Sequence, residues 1–116
     1  MTDQATTDAN RALAEDYVAA LEAGDFEALG RIYDENVVIW HNSDGIEMTR
    51  AEHFASFGKV QRTLRNLRYE DRRIFAFPEG FVQQHFCTAD TPAGVRLEVH
   101  GCLVCRVDGG RIVRMD

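Results

Sequence analysis

Val95-Arg96-Leu97-Glu98-Val99-His100-Gly101-Cys102-Leu103-Val104-Cys105-Arg106-Val107 carries the clearest alternation in this chain. Val95, Leu97, Val99, Gly101, Leu103, Cys105 and Val107 form one apolar face. Arg96, Glu98, His100, Cys102, Val104 and Arg106 form a mixed one. Successive side chains of a strand point to opposite faces, so the stretch predicts a long strand with its first face on a core. Its mixed face suits a sheet-to-sheet dimer contact through Cys102 and Val104. The same period of two predicts strands over about 67–77, 81–89 and 111–116. Their turns are Pro78-Glu79-Gly80, Asp90-Thr91-Pro92-Ala93-Gly94 and Asp108-Gly109-Gly110.

Upstream the period becomes helical. From about Thr7 to Ala23, Leu13, Tyr17, Ala20 and Leu21 share one stripe; Thr7 or Asp8 can cap its start and Gly24 its end. Asp25 caps a shorter helix with the stripe Phe26, Leu29, Ile32, Tyr33. A first strand follows at Val37–Asn42. Thr49-Arg50-Ala51-Glu52 is a capping box, opening a third helix with Phe54 and Phe57 and, further on, Val60 and Leu64. Residues 1–6 read as a disordered tail and 7–116 as a single domain. Helices first and hairpin-linked strands after imply α+β, with a curved, mostly antiparallel sheet and helices on one face. Such a sheet leaves an internal apolar pocket, the default place for a ligand.

Composition narrows the partners. Of 116 residues, 45% are hydrophobic and 28% charged, a globular balance. The net charge of −6, from 13 basic and 19 acidic side chains, works against nucleic-acid binding, which needs a basic stripe. The cluster Arg62, Arg65, Arg68, Arg72, Arg73 is offset by Glu70 and Asp71 and reads as a solvated face. No apolar run approaches the ~20 residues that span a bilayer. The polar N-terminus lacks the pattern of a secretory signal, so no membrane association and a cytoplasmic location are expected. Cys87, Cys102 and Cys105 are an odd set without a disulfide framework. On a strand, Cys102 and Cys105 point to opposite faces and cannot share a metal. No nucleotide fingerprint or hydrolase elbow is present, so no cofactor and no metal are expected.

One ionisable residue draws attention. His41 closes the run Val37-Val38-Ile39-Trp40-His41-Asn42, just before the turn Ser43-Asp44-Gly45. Histidine titrates near neutrality, so it can move a proton without a large shift. His41 shares strand parity with Val37 and Ile39, and Tyr17 lies on its helix's apolar stripe, so both should point inward. The pair reads either as base and phenol donor or as buried residues satisfied by backbone partners. His85 is a further candidate, but both faces of its strand mix polar and apolar residues and the pattern does not choose. His100 reads as interfacial, His53 as exposed, and Trp40 as core or interface.

Several stretches resemble a known family. Tyr17-Val18-Ala19-Ala20-Leu21-Glu22-Ala23-Gly24-Asp25 is similar to the first helix of ketosteroid isomerases. Val38-Ile39-Trp40-His41-Asn42 with Asp44-Gly45, Gly80-Phe81-Val82-Gln83-Gln84-His85, and Leu103-Val104-Cys105-Arg106-Val107-Asp108-Gly109-Gly110-Arg111-Ile112 resemble the SnoaL-like branch of the nuclear-transport-factor-2-like superfamily. That branch includes polyketide cyclase-like proteins. The resemblance covers roughly residues 8–116 and implies a cystatin-like cone. Members of the family continue past the position of Asp116, so a clipped last strand is expected. Tyr17 falls on the isomerases' oxyanion-donating tyrosine and His41 on their base, an aspartate there. Their second acid donor falls near Leu103, which cannot donate a hydrogen bond and departs from the pattern. The isomerase register puts Gln84 and Phe86 inward; a dehydratase-like register with a bulge puts His85 inward instead. The resemblance implies cofactor-free isomerase, cyclase or dehydratase chemistry on a small hydrophobic carbonyl compound, in a homodimer. The implied catalytic set is His41, Tyr17 and His85, and the implied substrate wall is Tyr33, Phe54, Phe57, Gln84, Phe86 and Leu103. The alternative is a noncatalytic ligand-binding or dimerisation domain of the same fold.

Overall fold

Helix α1 (Asp3–Ala23) begins earlier than its apolar stripe suggests, because Thr2 accepts a hydrogen bond from the Ala5 N–H and caps it. Asp3 in the first turn complements the helix dipole. The computed structural model describes residues 2–116, so the expected tail is helical from Asp3 on, and Met1 lies outside the described residues. Gly24, at φ 65°, ends α1 in the left-handed conformation that a glycine adopts without a Cβ penalty. Asp25 caps α2 (Phe26–Ile32) by accepting from the Ala28 N–H.

Strand β1 (Tyr33–Trp40) starts directly at the end of α2, four residues before the expected Val37, and leaves His41 just past its end. A two-residue strand β2 (Glu47–Met48), not anticipated from the sequence, pairs with its tip. Helix α3 (Arg50–Thr63) carries the expected Thr49–Glu52 capping box. Then come β3 (Arg65–Phe77), β4 (Gly80–Asp90), β5 (Arg96–Asp108) and β6 (Arg111–Met115). The sheet order is β2-β1-β6-β5-β4-β3. Among the described residues only β1–β6 is parallel, so this is an open, mixed, mostly antiparallel sheet.

One face of this sheet holds the core. Helix α1 crosses β3 and β4, and α3 packs on β1. Leu29, Tyr33, Ile39, Phe81, Cys105 and Ile112 have no solvent exposure. Burying such a side chain contributes about 1.5–3 kcal/mol. Strand β3 keeps an apolar inner face only by changing parity. Leu67 and Tyr69 face the core before a bulge, and Ile74 and Ala76 after it. The register slips between Glu70 and Arg73, where Asp71 takes a positive φ of 52°.

Candidate functional site

Between α1, α3 and the sheet lies a cavity of about 290 Å³. Leu21, Phe57, Val60, Leu64, Leu67, Val99 and Leu103 supply apolar wall; Tyr17, His41, His53, Tyr69 and His85 supply polar groups. A groove of about 730 Å³ beyond the end of β6 shares His41, His85, Val99, Leu103 and Met115 with it.

Tyr17 does point inward, but His41 is not its partner. The Tyr17 hydroxyl lies 2.8 Å from that of Tyr33, and the Tyr33 hydroxyl 3.1 Å from His53 Nε2. The Tyr17 hydroxyl also lies 3.5 Å from the Met115 sulfur. A thioether can only accept, which sets the polarity of the chain. His53 Nε2–H donates to Tyr33, Tyr33 donates to Tyr17, and Tyr17 spends its proton on a weak acceptor. Burial holds the Tyr17 and Tyr33 phenols well above the usual tyrosine range, so both remain protonated donors. Burial, with the neighbouring His41, lowers His53 to about 4. At neutral pH His53 is therefore an uncharged imidazole.

His41 is exposed at the cavity mouth, its ring 6.5 Å from the ring of His53 and stacked with it. The structure thus puts His53 between the two residues that the sequence paired. The expectation that His53 is exposed is corrected: it is half-buried and central. A signal was present in the spacing. His53, Phe57, Val60 and Leu64 recur at helical intervals and all line the cavity.

His85 points inward, resolving the ambiguity of β4. Gln83, His85 and Cys87 share the inner face; the Gln83 amide nitrogen lies 3.1 Å from His85 Nδ1, and Tyr69 meets the imidazole edge-on at 4.9 Å. Burial lowers the His85 pKa. Gln84 and Phe86, expected as substrate wall, are corrected: Gln84 is exposed, and Phe86 packs on His100 on the outer face. The isomerase register fails on β4 because strand parity cannot bring both His85 and its neighbours inside. Phe57 and Leu103 line the cavity as expected. Tyr33 stands behind it as a link in the hydrogen-bonded chain, and Phe54 packs against Phe26 and Tyr33. Cys102 is exposed and Cys105 buried, on opposite faces as strand geometry requires.

This arrangement can present a phenolic donor, backed by two further groups, to an oxygen inside an apolar hollow. It can also hold an imidazole at the mouth to take or give a proton. Residues 14–115 match the family model described as SnoaL-like domain. None of the curated proteins is similar enough in sequence to match. Among solved structures, a candidate polyketide cyclase from Xanthomonas campestris pv. campestris superposes with a TM-score of 0.83 at 18% identity, over 95% of this chain and 89% of that one. AclR, a candidate hydroxylase from Streptomyces galilaeus, gives 0.83 at 19% identity, over 94% and 77%. A protein of ketosteroid isomerase-like fold from Catenulispora acidiphila gives 0.77 at 13% identity, over 89% and 81%. At these identities the likeness is one of fold.

Proposed function

This chain belongs to the SnoaL-like domain family, and from that premise we propose that it catalyses cofactor-free proton transfer on a small hydrophobic carbonyl compound. The observation that carries the reading is the buried chain His53–Tyr33–Tyr17, whose terminal proton rests on the Met115 sulfur. A substrate carbonyl oxygen is a better acceptor than a thioether and takes that proton in its place. The carbonyl is then polarised in a low-dielectric hollow, where a preorganised donor is worth most.

His41 removes the proton alpha to the carbonyl. The C–H electron pair moves into an enolate whose oxygen is held by Tyr17. In isomerisation the His41 imidazolium returns the proton to another carbon. In aldol-type cyclisation the enolate carbon attacks a second carbonyl and the imidazolium protonates the new alkoxide. In dehydration the proton leaves with a hydroxyl as water. We further propose that the protein acts as a cytoplasmic homodimer. An apolar row on the outer sheet face, Phe75, Val82 and Val104, supports the dimer.

The test is turnover of a panel of cyclic enones and β-keto compounds. Tyr17→Phe should lower kcat about 10²–10³-fold, the usual effect of losing an oxyanion donor. His41→Ala should lower it about 10²–10⁴-fold, the range for a general base. Circular dichroism checks that both variants stay folded. Wild-type turnover in both variants overturns the assignment. Ligand uptake without turnover, unchanged in His41→Ala, instead identifies a noncatalytic binding module.

A further inference from the structure

Gln83 is fully buried, yet no helix cap, salt bridge or turn uses it. It stands on β4 between Ile74 of β3 and Leu103 of β5, two apolar neighbours. Among the described residues its side chain's one polar contact is with His85 Nδ1, and its Oε1 has no partner. The orientation of this amide decides the chemistry of the imidazole. With its NH2 toward His85, Gln83 donates to Nδ1 and strands one carbonyl oxygen. Turned over, it would accept from Nδ1–H and strand an NH2 group. An underused acceptor is the more tolerable orphan, so the first arrangement prevails.

A neutral imidazole that accepts at Nδ1 carries its proton at Nε2. That atom occupies the space over Gly101: a Cβ on Gly101 would stand 2.5 Å from it. Among the described residues Nε2 has no hydrogen-bond partner, and it is not one of the fully buried unpaired atoms. It is therefore a reachable donor on a ring that borders both the cavity and the adjoining groove, the latter also lined by Gly101. The Tyr17 chain is anchored on α1, β1 and α3, whereas His85 rises from β4, with β6 and β5 between β1 and β4. The cavity thus has two donors from separate parts of the sheet.

We propose that Gln83 is a positioning residue that locks His85 as an Nε2–H donor over Gly101, so that the cavity selects ligands carrying two acceptor oxygens rather than one. The ligand class rests on the function proposed above; the tautomer does not. Long-range ¹H–¹⁵N correlation spectra of the whole chain read the tautomer directly. At pH 7 the wild-type His85 should show a bare Nδ1 and a protonated Nε2. In Gln83→Glu the carboxylate accepts from Nδ1, so that nitrogen should become protonated. A protonated Nδ1 in wild type overturns the lock, as does a bare Nδ1 in Gln83→Glu when the ¹³C shift of the new side chain shows an ionised carboxylate.

Calorimetric titration with trans-1-decalone and trans-decalin-1,5-dione reads the selection. Wild type should bind the dione about 5- to 10-fold tighter, the effect of one added hydrogen bond. His85→Phe, which removes the donor, should erase that preference while still taking up the monoketone, and Gln83→Leu, which only frees the ring, should reduce it. Gly101→Ala, which keeps Gln83 but fills the space at Nε2, should erase it as well and covers the case where Gln83→Leu does not fold. Equal affinities in wild type, or uptake of neither probe, overturn the two-oxygen selection. Because neither readout uses turnover, failure here is distinct from failure of the proposed catalysis.

Discussion

The Tyr33 hydroxyl is one oxygen atom on which two others depend. Tyr33→Phe keeps the ring and its packing, but leaves Tyr17 without its donor and His53 Nε2–H without its acceptor. Leaving a buried polar group unpaired costs about 1–3 kcal/mol and His53 is only half-buried, so urea unfolding should show a loss of about that size with an unchanged m-value. Turnover should fall as well, since Tyr17 then spends part of its time in other rotamers. His53 gives a second prediction, through linkage. Its pKa in the folded state is about 4, below the ordinary 6.5, so the unfolded chain binds a proton first as pH falls. Stability from this group is complete above about pH 6.5 and falls as pH drops toward 4, by up to about 2–3 kcal/mol. His85, also lowered by burial, acts in the same direction. Denaturation from pH 7 to 4 should therefore be flatter in His53→Gln than in wild type; parallel curves would show that the imidazole stays solvated. Of these groups, Tyr17 and Tyr33 were legible in the sequence through their helical stripes. The role of His53 was not, because a histidine beside a capping box looks like any exposed first-turn residue until α3 is docked on β1.

At the scale of elements, parity decided what the sequence could reveal. Strand β5 alternates cleanly, and the parity of Leu97, Val99, Leu103 and Cys105 could be named in advance. The expectation that this whole face lies on a core is corrected: Cys105 is buried, whereas Val95, Leu97 and Val99 are exposed, Leu97 and Val99 along the cavity wall. Strand β4 carries polar residues on both faces, so only its pairing with β5, His85 opposite Gly101, shows which face is inside. Strand β3 breaks parity at Asp71, and a one-residue insertion in a charged stretch leaves no mark in a hydrophobic pattern. Helix α3 was legible from its capping box, which also bears on the site because α3 carries His53 and Phe57. Thr49 accepts from the Glu52 N–H at 3.2 Å, and Glu52 accepts from the Thr49 N–H at 3.0 Å. These bonds hold the Glu52 carboxyl below its usual range. Thr49→Ala removes one arm and should cost about 1 kcal/mol in denaturant unfolding. It should also loosen the first turn of α3 and raise amide exchange at Glu52 and His53 above wild type. Unchanged exchange there would mean that packing of Phe57, not the cap, holds this end of the helix.

The molecule measures 49 × 28 × 26 Å, and its helices cover only one side of the sheet. On the other side Phe75, Val82 and Val104 stand opposite one another across β3, β4 and β5, with Phe75 58% and Val104 42% exposed. Isolated exposed apolar residues are ordinary, but a row spanning three strands is a contact surface in waiting. The mixed face of β5 had already marked Val104 as a candidate interface residue; Phe75 escaped notice because it lies beyond the β3 bulge. A second copy of the same face offers the same row, and a two-fold contact needs only self-complementarity. The formal net charge of −6 on each chain opposes this pairing at low ionic strength, so a dimer joined through the row should tighten as salt screens the repulsion. Sedimentation equilibrium at micromolar concentration should find a dimer in 0.15 M salt and a weaker one in 0.02 M. Val104→Glu puts two carboxylates into the row of the paired faces and should weaken association by at least about 30-fold, the effect of losing a central contact. Residue 104 borders the adjoining groove but not the 290 Å³ cavity, so ligand uptake in the cavity should persist in the monomer it produces. A wild-type monomer under these conditions, or a dimer indifferent to Val104→Glu, would place the contact elsewhere or remove it.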